Sequence, residues 1–263
     1  QAGAPVADAT DPRTGLPVTS LYRADHSVDD DASASIDTLL IDLQDIGARY
    51  YTYLATANSA ARCATNAGTR VLVLDRPNPI AWMGVFGNRF APGHDSIVGI
   101  EGLPIAHSCT IGELLRYLAR QEGRTPPDVV PMDAWDRSVR WETTELPWVP
   151  PSPNLPTLTA AHLYPATCLI EGTTLSEGRG TALPFELIGA PDLDAYALAS
   201  ELAVTEPPHR LEDLRDRHVA HGDVLAVVVA VVRIPAIDPV LAKIGGAFRL
   251  RPDLAFGHLR VLR

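Results

Sequence analysis

Asp37-Thr-Leu-Leu-Ile-Asp-Leu43 and Val71-Leu-Val-Leu74 are two short, unbroken apolar runs separated by a helix-length segment. Each has the length and composition of a strand buried on both faces in a parallel sheet. Between them, Ala55 to Ala67 reads as an alanine-rich helix, stopped by Gly68 where a left-handed cap is usual. Thr110-Ile-Gly-Glu113 opens a second helix, because Thr110 and Glu113 have the spacing of a capping box. Ile111, Leu114, Leu115 and Leu118 then form one apolar stripe, and Gly123 ends the helix. Asp128-Val-Val-Pro-Met132 supplies a third strand, with Pro131 confining it to a strand end or an edge. Strand, helix, strand, helix, strand predicts an α/β chain built from right-handed units on a parallel sheet.

Upstream, residues 1–35 are rich in Asp, Pro, Ser and Ala, with Leu16–Tyr22 as one short strand. Downstream, six prolines between Leu146 and Pro165 break the chain into extended pieces. They place a boundary near residue 145, giving a sheet domain over 1–145 and a smaller α/β domain over 146–263. The second domain is expected to hold a buried strand at Ala166–Ile170 and a Gly/Ser/Thr loop at Glu171–Thr181. A helix from about Asp192 to Val204, a strand at Val224–Val232 and a terminal helix follow.

Composition narrows the function. With 46% hydrophobic and 21% charged residues in 263, the chain is neither disordered nor fibrous. It carries 22 Lys+Arg against 32 Asp+Glu, a net charge of −10, with Lys243 its single lysine. No basic stripe offsets that charge, so nucleic acid is set aside as a partner. The longest aliphatic run, Val224–Val232, is less than half the roughly twenty residues a membrane-spanning helix needs. Cys63, Cys109 and Cys168 are scattered among apolar neighbours, which reads as buried, inert thiols and offers no metal cluster. Gln1-Ala-Gly-Ala-Pro5 lacks the features of a signal peptide and an initiator Met, as in a fragment or a processed chain.

Ligands of open parallel sheets bind at the carboxyl ends of the strands. Past the first strand lie Gln44, Asp45, Arg49, Tyr50, Tyr51 and Tyr53, and past the second lie Asp75, Arg76 and Asn78. The first turn has one glycine where a dinucleotide fingerprint needs three, and the second has prolines where a pyrophosphate needs N–H groups. The sheet is therefore Rossmann-like without its cofactor loop. Asp45 and Arg49, four residues apart, bind substrate or brace a turn, and Asp75-Arg-Pro-Asn78 is a site or a rigid turn. His107, three residues before the N-cap, is a catalytic group or a satisfied loop histidine. Glu171-Gly-Thr-Thr-Leu-Ser-Glu-Gly-Arg-Gly180 is harder to read as structure alone: two carboxylates, an arginine and three hydroxyls share one glycine-rich loop. That mixture suits a polar substrate such as a sugar.

Several long motifs, in order, resemble a known family. They are Asp42-Leu-Gln-Asp-Ile-Gly-Ala-Arg-Tyr-Tyr-Thr-Tyr53, Leu74-Asp-Arg-Pro-Asn-Pro79, and His107 with Thr110-Ile-Gly-Glu-Leu114. Trp148-Val-Pro-Pro-Ser-Pro-Asn-Leu-Pro-Thr157, Tyr164 to Thr181 and Pro184-Phe-Glu-Leu-Ile-Gly-Ala-Pro191 complete the set. From about Asp11 to Pro191 the chain is similar to the DUF1343 family, the NamZ-type exo-β-N-acetylmuramidases. The resemblance implies a Rossmann-like domain, here incomplete at its N-terminus, a smaller α/β domain and a cleft between them. It also implies a glycoside hydrolase of cell-wall turnover that releases N-acetylmuramic acid from the non-reducing end of peptidoglycan fragments. No metal or organic cofactor and a secreted or periplasmic location go with it.

Carried onto this chain, the expected catalytic residues are Glu171, Glu177 and His107. The expected substrate-binding residues are Asp45, Arg49, Asp75, Arg76, Asn78, Asn154 and Arg179. Arg179 or Arg76 would grip the lactyl carboxylate with a two-pronged guanidinium, and Tyr53 and Trp148 would stack on sugar or pack in a core. Three departures stand out. The family's Pro-Glu-His-Gly motif, with its proposed catalytic glutamate, would precede Gln1, so the alternative is an inactive remnant that binds amino sugars. Pro207 to Arg217 has no counterpart, and Ser108-Cys109 stands where members usually carry Gly-Met.

Overall fold

The computed structural model of the chain describes residues 7–20, 36–93, 95–191, 193–203 and 226–228. The chain divides into two units, Gln1–Leu146 and Pro147–Arg263. The first opens with a small antiparallel pair, β1 (Ala9–Thr10) and β2 (Pro17–Val18). Of the strand expected over Leu16–Tyr22, only Pro17–Val18 forms, and Leu21 and Tyr22 lie outside the described residues.

The sheet is the predicted one. β3 (Thr38–Ile41), β4 (Arg70–Leu74) and β5 (Asp128–Val130) run parallel in the order β3-β4-β5. Helix α1 (Thr52–Asn66) connects the first two strands, and α2 (Ile111–Gln121) precedes the third. Ile41, Val71 and Val73 pack beneath Ala57, Ala61 and Ala64 of α1 and Ile111 and Leu115 of α2. Alanine at three successive turns of α1 keeps its backbone close to the sheet.

One expectation fails here. β3 is not buried on both faces: Ile41 points into the core, while Leu40 is about half exposed on the other side. Among the described residues β3 pairs only with β4, so it is an edge strand. An unbroken apolar run cannot by itself tell a central strand from an edge one.

Both helices end alike. At α1, Gly68 adopts φ +78°, Gly68 N–H donates to Thr65 C=O at 3.1 Å and Thr69 N–H donates to Ala64 C=O at 2.8 Å. At α2, Gly123 adopts φ +67°, and Gly123 and Arg124 donate to Arg120 and Ala119. This is the Schellman pattern, which glycine enters without the steric cost of a Cβ. The start of α2 is the predicted capping box.

The second unit corrects the sequence reading. Leu158–Thr167 is a helix, α3, capped by Thr157 and running straight into a tight turn over Cys168–Gly172. No strand forms at Ala166–Ile170. The run Leu163 to Ile170 is apolar on every side, so it carries no periodicity to separate a buried helix from a strand. β6 (Leu187–Gly189) pairs antiparallel with β7 (Ala226–Val228), and α4 (Ala195–Ala203) starts where Asp194 accepts the N–H groups of Tyr196 and Ala197. The rest of the expected Val224–Val232 strand and the terminal helix lie outside the described residues. The three cysteines are half-buried rather than buried, and none forms a disulfide. Among the described residues, no helix is long and apolar enough to cross a membrane.

Gly112 lies inside α2, where alanine normally stabilises by about 1 kcal/mol. Here a Cβ would stand 2.7 Å from Val129 Cγ1 and 2.9 Å from Asp75 Cγ. Gly112→Ala is therefore predicted to destabilise the chain, by about 1–3 kcal/mol in chemical denaturation. A gain in stability would show that α2 can move off the sheet.

Candidate active site

Three segments meet beyond the carboxyl ends of β3 and β4: Gln44–Gly47, Asp75–Ile80 and His107–Glu113. Gln44 Nε2 donates to the backbone oxygens of Asp45 (2.7 Å) and Pro77 (2.8 Å). Asn78 is buried, donating from Nδ2 to Cys109 O at 2.9 Å and accepting Ile80 N–H on Oδ1 at 3.0 Å. Gly47 turns at φ +83° against that amide, so close that a Cβ would sit 2.3 Å from Asn78 Oδ1.

Asp45 and His107 form a pair inside this rim, each almost fully enclosed. Asp45 Oδ2 accepts Gly47 N–H at 3.0 Å and lies 3.3 Å from His107 Nε2. His107 Nδ1 accepts the N–H of Cys109, which puts the ring hydrogen on Nε2, facing the carboxylate. The approach to Nε2 falls short of hydrogen-bond geometry, and Asp45 Oδ1 has no partner among the described residues. Ser108 beside this pair holds φ +56°, with its hydroxyl donating to Ala81 O at 2.8 Å. Glycine would adopt this left-handed backbone without strain.

The remaining sheet-end candidates have other partners. Asp75 Oδ2 accepts the Thr110 hydroxyl at 2.6 Å, and Oδ1 accepts Gly112 N–H at 2.9 Å. Glu113 accepts Thr110 N–H at 3.0 Å. The N-terminus of α2 thus holds two of the chain's own carboxylates at the position a nucleotide phosphate takes in related sheets. Arg76 is exposed and paired with Asp42 at 2.6 Å, and that hydrogen bond raises its pKa further.

Arg49 does not face Asp45. Its buried guanidinium donates to the backbone oxygens of Asn88 and Leu103, the latter at 2.9 Å, and lies 5.0 Å from the centre of the Phe90 ring. Burial, the largest influence, lowers its pKa. Tyr53 packs on Tyr51 with ring centres 4.7 Å apart.

In the second unit the glycine-rich loop gathers its charges. Arg179 reaches Glu171 Oε1 with one terminal nitrogen and lies 3.2 Å from Glu177 Oε1 through Nε. Cys168 Sγ also addresses Glu171 Oε1, at 3.9 Å. The contacts of Glu171 with Arg179 and Cys168 both fall on Oε1, and those of Arg179 with the two glutamates use Nε and one terminal nitrogen. Burial is the largest influence on Glu171 and holds its carboxyl above the usual range; Arg179 opposes this and Glu177 adds to it. Burial and Glu171 together push the Cys168 thiol up to about 12, which leaves it inert. Asn154 is half-buried, with its backbone N–H donating to Ser152 Oγ at 3.3 Å, and Trp148 Nε1 donates to Leu155 O at 3.1 Å.

Sequence reading does not single out Phe185, whose ring lies 5.1 Å beneath the Arg179 guanidinium. It lies in the Pro184–Pro191 motif, which gives it no role of its own, and its backbone, at φ +63°, is what sets it apart. No group of three or more His, Cys, Asp or Glu placed to hold a metal occurs among the described residues.

The family domain described as exo-β-N-acetylmuramidase NamZ, N-terminal, matches residues 1–159, and its C-terminal counterpart matches residues 162–215, so most of the stretch from Pro207 to Arg217, expected to lack a counterpart, falls within the family match. The peptidoglycan β-N-acetylmuramidase NamZ of Bacillus subtilis (strain 168) is 43% identical over 204 residues, 77% of this chain and 49% of that protein. Two crystal structures of DUF1343-family proteins from Bacteroides fragilis NCTC 9343 share the fold. One has a TM-score of 0.70 at 34% identity, over 76% of this chain and 53% of the other. The second has a TM-score of 0.60 at 36% identity, over 70% and 50%. The chain spans about half the length of the relatives it matches.

The raised Glu171 carboxyl has a measurable consequence. The folded chain holds this proton more tightly than the unfolded chain, so its contribution is lost as pH climbs from the ordinary carboxylate range through the higher folded value. Glu171→Gln should remove that part of the decline. Denaturation curves from about pH 4 to 7 would then show a flatter loss of stability in the variant. Parallel curves for the two chains would contradict it.

Proposed function

Because the chain belongs to the NamZ exo-β-N-acetylmuramidase family, we propose that it carries the sugar-recognising and proton-donating part of a glycoside hydrolase. Its substrate in this reading is the N-acetylmuramic acid at the non-reducing end of peptidoglycan fragments, and the biological setting is cell-wall turnover. The observation that carries the proposal is the loop cluster of Glu171, Glu177 and Arg179.

Hydrolysis of a glycoside breaks the bond between the anomeric carbon and the leaving oxygen. Water supplies the new hydroxyl, and a carboxyl group protonates the departing oxygen. Glu171 suits the donor's role because burial favours its protonated form. Arg179 and Cys168 both address Oε1, so Oε2 is the oxygen available to carry the proton. Glu177 then assists at the anomeric carbon, held in orientation by the same arginine.

The lactyl ether of muramic acid ends in a carboxylate that N-acetylglucosamine lacks. Arg179 spends Nε and one terminal nitrogen on glutamates, leaving its other terminal nitrogen for that carboxylate, and its side chain is partly exposed. The Asn154 amide offers a hydrogen bond to the sugar. Asp45, Asn78 and His107 hold the rim loops in shape in this reading, while Asp75 and Arg49 are committed to α2 and to backbone oxygens.

Two experiments test the reading. The chain should release chromophore from a muramic-acid-terminated glycoside, and Glu171→Gln should lower kcat by roughly a hundredfold or more. Binding without turnover by the unaltered chain would overturn the catalytic assignment. Separately, Arg179→Lys keeps the charge but loses the planar fork. Its affinity for N-acetylmuramic acid should fall well beyond that for N-acetylglucosamine, and equal losses would refute the lactyl contact.

A further inference from the structure

Phe185 combines three features that seldom coincide. It is about 1% exposed, so it is a core residue. Its backbone sits at φ +63°, a region bulky side chains avoid because Cβ crowds the neighbouring carbonyl. Its ring faces the guanidinium of Arg179 at 5.1 Å, the only cation-bearing side chain in the loop from Glu171 to Gly180. A strained residue of this kind persists where its surroundings over-determine it, and such residues gather at functional sites.

The surroundings do over-determine it. Phe185 N–H donates to Glu177 O at 2.7 Å, tying the strained backbone to the loop that carries Glu177 and Arg179. The Tyr164 ring of α3 meets the Phe185 ring edge-on at 4.8 Å, which fixes the ring plane. Ser176 and Gly189 exchange N–H···O bonds of 2.8 and 3.0 Å, anchoring the same loop to β6. Gly178, at φ +82°, turns the loop where a Cβ would press within 3.0 Å of Leu183 O. The ring is thus held by Tyr164, its backbone by Glu177, and the loop that carries Arg179 by the Ser176–Gly189 pair and the turn at Gly178.

We propose that Phe185 is the positioning residue for Arg179, and through it a determinant of selectivity for the carboxylate-bearing sugar; this rests on the lactyl role given to Arg179 above. Two glutamates pull Arg179 sideways through Nε and one terminal nitrogen. The negative face of the ring holds the guanidinium plane against that pull, so its remaining terminal nitrogen stays directed outward. Phe185 itself touches no substrate.

The test replaces Phe185 in the full chain by mono-, di- and trifluorinated phenylalanine. Shape and burial are kept while the ring face loses its negative charge. Binding of N-acetylmuramic acid and of N-acetylglucosamine is measured for each chain. The ratio of the two affinities should fall stepwise, about two- to fivefold across the series, with the melting temperature unchanged. A flat ratio would overturn the proposal. Phe185→Met, which keeps bulk and removes the ring face, should lose the same selectivity, and a methionine chain with the original ratio would also overturn it. Arg179→Lys separates the two levels: loss of the ratio there with a flat fluorine series sinks the Phe185 inference alone, whereas an unchanged ratio there sinks the lactyl reading and this inference together.

Discussion

A helix start inside a protein presents N–H groups and the positive end of a dipole, and something must meet them. In this chain Asp75 and Glu113 meet them at α2, with Thr110 bonded to both carboxylates. Much of the first unit follows from that arrangement. It ties the end of β4 to the beginning of α2 and requires glycine at position 112, where the helix lies against Val129 and Asp75. It also fills the helix start, a place where an anion can bind, with the chain's own carboxylates. The Gln44–Gly47 and Asp75–Ile80 segments can then be knitted by amide side chains, Gln44 and Asn78, into a rim of set shape.

The parts of the fold that the sequence exposes are those with a local chemical signature. The capping box, the two glycine-stopped helices and the three parallel strands each follow from spacing or from a residue that only one conformation tolerates. What it conceals depends on neighbours that spacing cannot identify. The apolar stretch ending at Ile170 has no polar side, so helix and strand read alike, and the structure makes it α3 and a tight turn. β3 reads as a central strand because Leu39, Leu40 and Ile41 are contiguous, yet Leu40 is about half exposed.

Legibility of the candidate site divides in the same way. The Glu171–Gly180 loop stands out in the sequence because glycines, carboxylates and an arginine are concentrated there, and Arg179 does gather both glutamates. Arg49 and Asp75 stand out equally as charged residues past strand ends, but their partners, backbone oxygens for Arg49 and the Thr110 hydroxyl and Gly112 N–H for Asp75, lie far along the chain, and no motif encodes the pairing. Ser108 and Phe185 both fall within stretches the sequence brings forward, yet their particular part in the structure is hidden there for a different reason. Their distinction is a backbone angle, and a serine or phenylalanine in a left-handed conformation looks like any other in a sequence.

Arg49 carries a last consequence. It fastens the long excursion between β4 and α2 by gripping the main-chain oxygens of Asn88 and Leu103 rather than any acidic side chain. Every residue type brings such an oxygen, so most of the fastening survives substitution at either anchor, with only the longer 3.3 Å bond to Asn88 Oδ1 tied to residue identity. It depends instead on spacing: adding or deleting a residue between the anchors and the strand would carry the oxygens away from the guanidinium. This stretch should therefore tolerate wide variation in identity and very little in length.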